Sequence, residues 1–176
     1  MSSSAAVRRA KHADHEPLGD LWIAFMNEQA GFDDRLAVAD DARERWDNDF
    51  PVWLNDDRQA TFIVETDGTL CGFVTAHQWG PPPIYQADTE VYLDELYVAP
   101  EARRRGLGRQ LVEAVRDWAT SLGAVRIRLQ ALHANAAAQA FWAACGADPF
   151  AVTHTVDLDA AEQSASESAS RSIGFT

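Results

Sequence analysis

The sequence predicts a single mixed α/β domain, one central β-sheet with helices packed on both faces. Three observations carry that expectation. Helix-like and strand-like segments follow one another in the order ααββ-β-α-β-α-β. Two segments, near Leu18–Met26 and Leu107–Leu122, repeat apolar residues at helical spacing. The run Ala60–His77 reads as a β-hairpin. A chain of 176 residues with 47% hydrophobic content can bury a core of this kind.

The elements follow in chain order. Leu18, Leu21, Trp22, Phe25 and Met26 fall on one helical face, with Pro17 near the start, where a missing N–H costs little. A second helix is expected to begin near Asp41, which stands three residues before Glu44 in a capping-box pattern. Trp46 and Trp53 are expected on its buried side, and Pro51 is expected to end or kink it. In "ATFIVETDGTLCGFVTAH" two β-rich runs flank Asp67-Gly68, a two-residue turn suited to positive φ. The prolines of "WGPPPIYQAD" exclude a central strand, so that stretch reads as a loop. "EVYLDELYV", Glu90 to Val98, reads as a strand with Asp94 and Glu95 in its middle. Leu107, Leu111, Val115, Trp118 and Leu122 then mark a long amphipathic helix, with Gly123 as its stop. "AVRIRLQAL" reads as a strand with alternating arginines, "NAAAQAFWAACG" as a short helix closed by Gly146, and "FAVTHTVDLD" as a last strand. The domain is expected to span residues 1–159, and the polar, low-complexity residues 160–176 to form a flexible tail.

Charge narrows the classes of function. The formal net charge is −12, with 17 Asp and 10 Glu, and Lys11 is the only lysine. Without a broad basic face, nucleic acid is not an expected partner. The acidity suits either attraction of a cationic substrate or a surface adapted to high salt. No apolar run is long enough to cross a bilayer, and the N-terminal stretch has no apolar signal core, so neither a membrane nor secretion is expected. Cys71 and Cys145 have no metal-ligand spacing, and no metal is expected. His12, His15, His77 and His154 likewise show no ligand spacing. A cytoplasmic protein is the expectation.

Against this acidic background "RRRGLGRQL", Arg103 to Leu111, gathers four arginines around two glycines directly before a helix. The first N–H groups of a helix lack internal partners and point outward, and with the helix dipole they attract anions. Glycine permits close approach of a phosphate, and arginine adds bidentate charge-assisted bonds. A pyrophosphate cradle follows, with a solvated helix cap as the plain alternative. A Walker loop does not fit, because Arg109 follows Gly108. A dinucleotide fingerprint does not fit, because Leu111 stands where a third glycine belongs.

Arg103-x-x-Gly106-x-Gly108 resembles the Q/R-x-x-G-x-G/A motif of the GNAT acyltransferase superfamily. "YLDELYVAPEARRRGLGRQLVEAV" is similar to that family's central strand, turn and pyrophosphate helix. "NAAAQAFWAACGA" resembles its second signature, with Asn135, Ala138 and Gly146 in register. The resemblance covers residues 5 to 158 and implies an acyl-CoA-dependent transferase with a splayed central strand pair. It implies that the backbone N–H groups around Arg103, Arg104, Arg105, Gly106, Leu107, Gly108 and Arg109 hold the CoA pyrophosphate. It implies that the backbone of Leu96, Tyr97 and Val98 pairs with the pantetheine, and that Asn135, Ala138, Phe141 and Trp142 line its other side. A homodimer is expected by the same resemblance.

Trp142 departs from the family pattern, because many members carry a tyrosine there as proton donor to the leaving thiolate. An indole N–H donates a hydrogen bond but is no proton source at neutral pH. Tyr97, His133 or water are the candidate replacements. Glu95 and Asp94 are the candidates for the base that deprotonates an amine acceptor. On a regular strand neighbours face opposite sides, so Asp94 shares a face with Leu96 and Val98, and only one carboxylate enters the cleft unless a bulge intervenes. A salt bridge from one of them to Arg126 or Arg128 is the structural alternative. The expected activity is acetyl transfer from acetyl-CoA to a primary amine, and the alternative is a non-catalytic acyl-CoA-binding module.

Overall fold

The computed structural model describes residues 5–82, 84–86, 88–156 and 158. The chain divides into two compact units, Met1–Cys145 and Gly146–Thr176. The first holds a five-stranded sheet in the order β1-β2-β3-β4-β5: β1 Ala5–Arg9, β2 Gln59–Thr66, β3 Thr69–Trp79, β4 Glu90–Val98 and β5 Arg126–Leu129. The first three pairings are antiparallel and β4–β5 is parallel. The helices are α1 His15–Ala30, α2 Ala42–Leu54, α3 Leu107–Ser121 and α4 Ala136–Ala144. Among the described residues no helix is long and apolar enough to cross a membrane.

Alternation along the central strands sorts the core into two layers. Val64, Val74, Ala76, Val91 and Leu93 pack with Leu107, Leu111, Val115 and Trp118 of α3. Ile63, Phe73 and Tyr97 pack on the other face with Leu18 of α1 and with Trp46 and Phe50 of α2. Trp46 is a core residue, stacked on Phe50 with ring centroids 4.5 Å apart. The hairpin turn has the geometry its sequence demands, Asp67 at φ 52° and Gly68 at φ 78°. Gly123 beyond α3 and Gly146 beyond α4 both take positive φ, as helix-stopping glycines do.

Four expectations are corrected. The order ααββ-β-α-β-α-β omits β1, a short edge strand carrying Arg8 and Arg9, whose polarity hides it from a hydrophobic-pattern reading. Asp41 does not cap α2 with its side chain; its carboxylate accepts from Arg45 Nε at 2.9 Å, one turn on. Of the end or kink expected at Pro51, the end does not occur, since α2 continues past it to Leu54. In the second unit, 151–156 form no strand, and Phe150, Val152 and Val156 are exposed. A strand persists only where a neighbour completes its hydrogen bonds, and no ladder includes these residues. The tail expected over 160–176 lies outside the described residues.

Candidate active site

β4 is the axis of the site. Its pairing with β5 runs from Glu90↔Arg126 to Leu93↔Leu129 and stops, while β4 continues to Val98 against β3 alone. The two parallel strands therefore part beyond Leu93. Below the parting, charge reinforces the backbone ladder: Glu90, almost fully buried, meets Arg128 Nε at 2.8 Å and Arg126 Nε at 3.2 Å. Arg128 also lies over the Trp79 ring, 4.8 Å from its centroid. The β5 arginines thus serve Glu90, and not Asp94 or Glu95 as the salt-bridge alternative supposed.

At the parting, β4 carries a bulge. Thr75 pairs with Glu95 and the next residue, Ala76, pairs with Leu93, so Asp94 is the extra residue. The consequence is a change of face. Val91 and Leu93 point to α3 before the bulge, and Leu96 and Val98 point to the same layer after it. Asp94 does not share a face with Leu96 and Val98. It lies with Glu95 on the α1–α2 side, where both carboxylates meet side chains of β3. This is the exception that the expectation of opposite faces had allowed for.

The two carboxylates have different surroundings. Glu95 Oε1 accepts from the Trp22 indole at 2.8 Å, and Oε2 accepts from the Thr75 hydroxyl at 3.1 Å. Burial pushes its pKa up, opposed by those two donors. Asp94 is exposed along one side, and its Oδ2 lies 2.8 Å from His77 Nδ1. Burial raises its pKa also, against the lowering effect of the His77 hydrogen bond. The His77 ring stacks on Tyr92, with centroids 5.6 Å apart. Trp22, Thr75 and His77 were not legible as site residues. They reach the site through helix packing and strand register, for which no local pattern in the sequence codes.

The arginine–glycine stretch forms the second half of the site. Arg104 and Gly106 both take left-handed backbone, φ 65° and 79°, and Gly106 is the N-cap of α3. The first bond of the helix runs from Gln110 N to Gly106 O at 3.1 Å. Among the described residues, no backbone N–H from Arg104 to Arg109 meets a backbone carbonyl. The two glycines serve different needs. Gly106 is required by its positive φ, and a Cβ there meets nothing. Gly108 is favoured by space, since a Cβ there lies 3.3 Å from the Phe141 ring of α4 and the ring would have to give slightly.

The arginines are partly engaged within the fold. Arg103 donates to Val98 O at 2.7 Å, pairs with Glu28 of α1 at 2.6 Å, and stands over the Tyr97 ring. Arg105 donates to Glu101 O, and Arg109 to Ala144 O. Leu107 is buried in the core. Tyr97 is buried beside Phe25 and Phe73, and burial and the nearby Glu28 hold its phenol protonated. Asn135, nearly buried, caps α4 by accepting from Ala138 N at 2.9 Å. Phe141 and Trp142 meet edge to face, and Trp142 packs against the α3 layer. No group of residues suited to a metal ion occurs among the described residues.

Comparison with known proteins agrees with this geometry. Residues 16–147 match the Acetyltransferase (GNAT) family, and the chain belongs to it. It is 35% identical over 75 residues to an aminoglycoside N(6')-acetyltransferase type 1 of Salmonella typhimurium, a match covering 40% of this chain and 49% of that one. The chain thus spans about half the length of that relative. An uncharacterized N-acetyltransferase of Bacillus subtilis, YhfO, is 29% identical over 139 residues, 77% of this chain and 85% of its own. Among solved structures, aminoglycoside N-acetyltransferase AAC(6')-Iy in complex with CoA superposes with a TM-score of 0.73 at 23% identity, covering 89% of this chain and 96% of that one. That likeness shows the shared fold.

Proposed function

We propose that this protein is an acetyl-CoA-dependent N-acetyltransferase that acts on a primary amine. The observation that carries the reading is the run of free N–H groups from Arg104 to Arg109, set at the N-terminus of α3 beside the parting of β4 and β5. Converging N–H groups at the positive end of a helix dipole are suited to a pyrophosphate. The Arg104, Arg105 and Arg109 side chains add positive charge there. The open edge of β4 beyond Leu93 offers Leu96, Tyr97 and Val98 to the pantetheine as a strand-like partner, with Asn135, Ala138, Phe141 and Trp142 across from it. Val98 O already accepts from Arg103, so the pairing falls to the remaining backbone groups of that edge. Family membership supports the same reading.

Acetyl transfer needs a neutral amine, and Asp94 and Glu95 stand together on the face away from α3 to provide for one. Glu95, with an acceptor role on each oxygen, shapes the wall of the acceptor site; Asp94 Oδ1 stays open among the described residues. Two carboxylates and a net charge of −12 favour a cationic acceptor. Proximity in a ternary complex supplies much of the rate. The leaving thiolate, of pKa about 8.5 as a free thiol, departs without a strong acid at Trp142.

Calorimetry of acetyl-CoA, CoA and ATP tests the reading. Micromolar binding of both CoA species without ATP is expected, and a protein that binds none of the three refutes it. Trp142 favours a second reading, an acyl-CoA-binding module without turnover. Tight acetyl-CoA binding with no acetyl transfer to any of a broad set of amines would establish that alternative.

A further inference from the structure

The bulge at Asp94 does more than bring two carboxylates to one face. It seats the Asp94 carboxylate beside the ring of His77, a residue of the neighbouring strand. Oδ2 and Nδ1 lie 2.8 Å apart. Tyr92, the register partner of His77, stacks on the same ring, with centroids 5.6 Å apart and an interplanar angle of 30°. The ring is therefore fixed twice, by a hydrogen bond in its plane and by an aromatic face against it. A carboxylate has no proton to give when ionised, so the bond is Nδ1–H donating to Oδ2. That leaves the Nε2 lone pair as the open basic atom, and among the described residues no side chain bonds to it.

We propose that His77 is the proton acceptor of the reaction, with Asp94 acting through it as the residue that fixes its tautomer and charge. This rests on the reading of the protein as an acetyl-CoA-dependent N-acetyltransferase. The arrangement is a carboxylate–imidazole pair, in which the carboxylate orients the ring and stabilises the imidazolium that forms. The choice between His77 and a bare carboxylate follows from the open Nε2 of an oriented ring. A neutral imidazole with one N–H engaged presents its other nitrogen as a proton acceptor, the commonest arrangement for a general base. Glu95 is the weaker candidate on geometry, because both its oxygens already accept bonds.

The charged groups around the pair come from β4 and β5. Asp94, Glu95 and Tyr92 belong to β4, with Arg128 of β5 acting on Tyr92. The register partner from β2 is Gln59, which is uncharged, and on β3 the residue facing the same way is Thr75. Trp22 comes from α1 and reaches Glu95. Among the described residues, Asp94 is the one ion in direct contact with the ring. The step balances without a further reactant. The substrate ammonium gives its proton to His77 Nε2, directly or through one water. The freed nitrogen lone pair forms the bond to the thioester carbonyl carbon. As the tetrahedral adduct collapses the C–S bond breaks, the acylated nitrogen gives up its second proton, which reaches the leaving thiolate through water, and the imidazolium returns the first proton to solvent.

The test is His77→Asn, whose side-chain amide keeps a donor for Asp94 and has no titrating nitrogen. Two acceptors are compared at pH 7: n-butylamine, which arrives as an ammonium, and 2,2,2-trifluoroethylamine, which is already neutral. The expected result is a loss in kcat/KM of roughly 100-fold or more with n-butylamine, the usual contribution of a general base. Only a small change is expected with trifluoroethylamine, and acetyl-CoA affinity should stay the same. Equal losses on the two amines, or none on either, overturn the proposal while leaving the transferase reading intact. Wild-type protein that binds no acetyl-CoA removes that reading and this proposal with it. A measurement independent of any acceptor is nitrogen NMR of 15N-histidine-labelled protein above the titration of the ring. The Nδ1-protonated tautomer of His77, shifted in Asp94→Asn, is expected; an Nε2-protonated ring in the wild type overturns the proposal.

Discussion

The Trp22 indole N–H donates to Glu95 Oε1 at 2.8 Å, joining α1 to the bulged strand β4. Its partner carboxylate is otherwise satisfied by Thr75 alone, and burial holds its pKa above the ordinary range. Trp22→Phe removes one donor from a partly buried carboxylate, which costs about 1–2 kcal/mol. Urea unfolding at pH 7 measures that loss, and a second effect accompanies it: the Glu95 pKa rises further.

Glu95→Gln behaves oppositely in its pH dependence. A carboxyl whose pKa is raised by folding binds its proton more tightly in the folded state, so its contribution is fully present below the unfolded value and is lost as pH rises through the folded one. Gln keeps an oxygen for Trp22 and has no such loss. The stability of the variant relative to wild type is therefore expected to increase from pH 4 to pH 8, read from unfolding midpoints across that range. A constant difference would show that Glu95 titrates alike in both states.

Asp14 has the reverse sign. Nearly buried at the start of α1, it accepts two bonds from Arg8, both at 2.8 Å, and one from Lys11 N, and the Arg8 guanidinium beside it lowers its pKa. The stability it contributes is present above its unfolded pKa and lost as pH falls through the folded one. Asp14→Asn is expected to be less stable than wild type at pH 7, and the gap to close in acid. Arg8 also binds Glu65, so the variant loosens β1 from β2 and α1 together. Thermal unfolding at pH 7 and pH 3 checks both statements.

Gly106 and Gly108 separate by mechanism. Gly106→Ala places a side chain at φ 79°, a cost of about 1–2 kcal/mol, and disturbs the N–H run. Gly108→Ala presses a methyl group on Phe141 at 3.3 Å, an overpacking cost of about 1 kcal/mol relieved by a small ring shift. Acetyl-CoA affinity is expected to fall more for Gly106→Ala than for Gly108→Ala, and to be lost when both are made bulky. Calorimetry on the three variants distinguishes these outcomes.

Glu90→Ala leaves Arg126 and Arg128 without their shared carboxylate at the start of β5. Breaking a buried pair from one side costs several kcal/mol, but both arginines reach solvent, so roughly 1–3 kcal/mol is expected here. Because that pair clamps β4 to β5 just below their parting, hydrogen exchange in Arg126–Leu129 should quicken in the variant. Unchanged exchange would show that the backbone ladder alone holds β5.

Features that depend on near neighbours were legible in the residues alone. The Asp67-Gly68 turn, the amphipathic α3 with Gly123 after it, the short α4, and the two glycines of the arginine stretch each rest on local periodicity or on a backbone angle few residues adopt. The paired signatures around Arg103 and Asn135 are equally local, and they identified the family. What only tertiary structure decided is which side chains share a face and what meets them there. β1 exists because β2 offers it an edge, and 151–156 form no strand because no ladder includes them. The bulge opposite Thr75 and Ala76 turned Asp94 from the face of Leu96 to that of Glu95, a one-residue change in register that strand alternation converts into a change of side. Through it His77, unremarkable in sequence, came to lie 2.8 Å from a carboxylate. Hydrogen bonds between strands fix register, and register is a property of two segments at once.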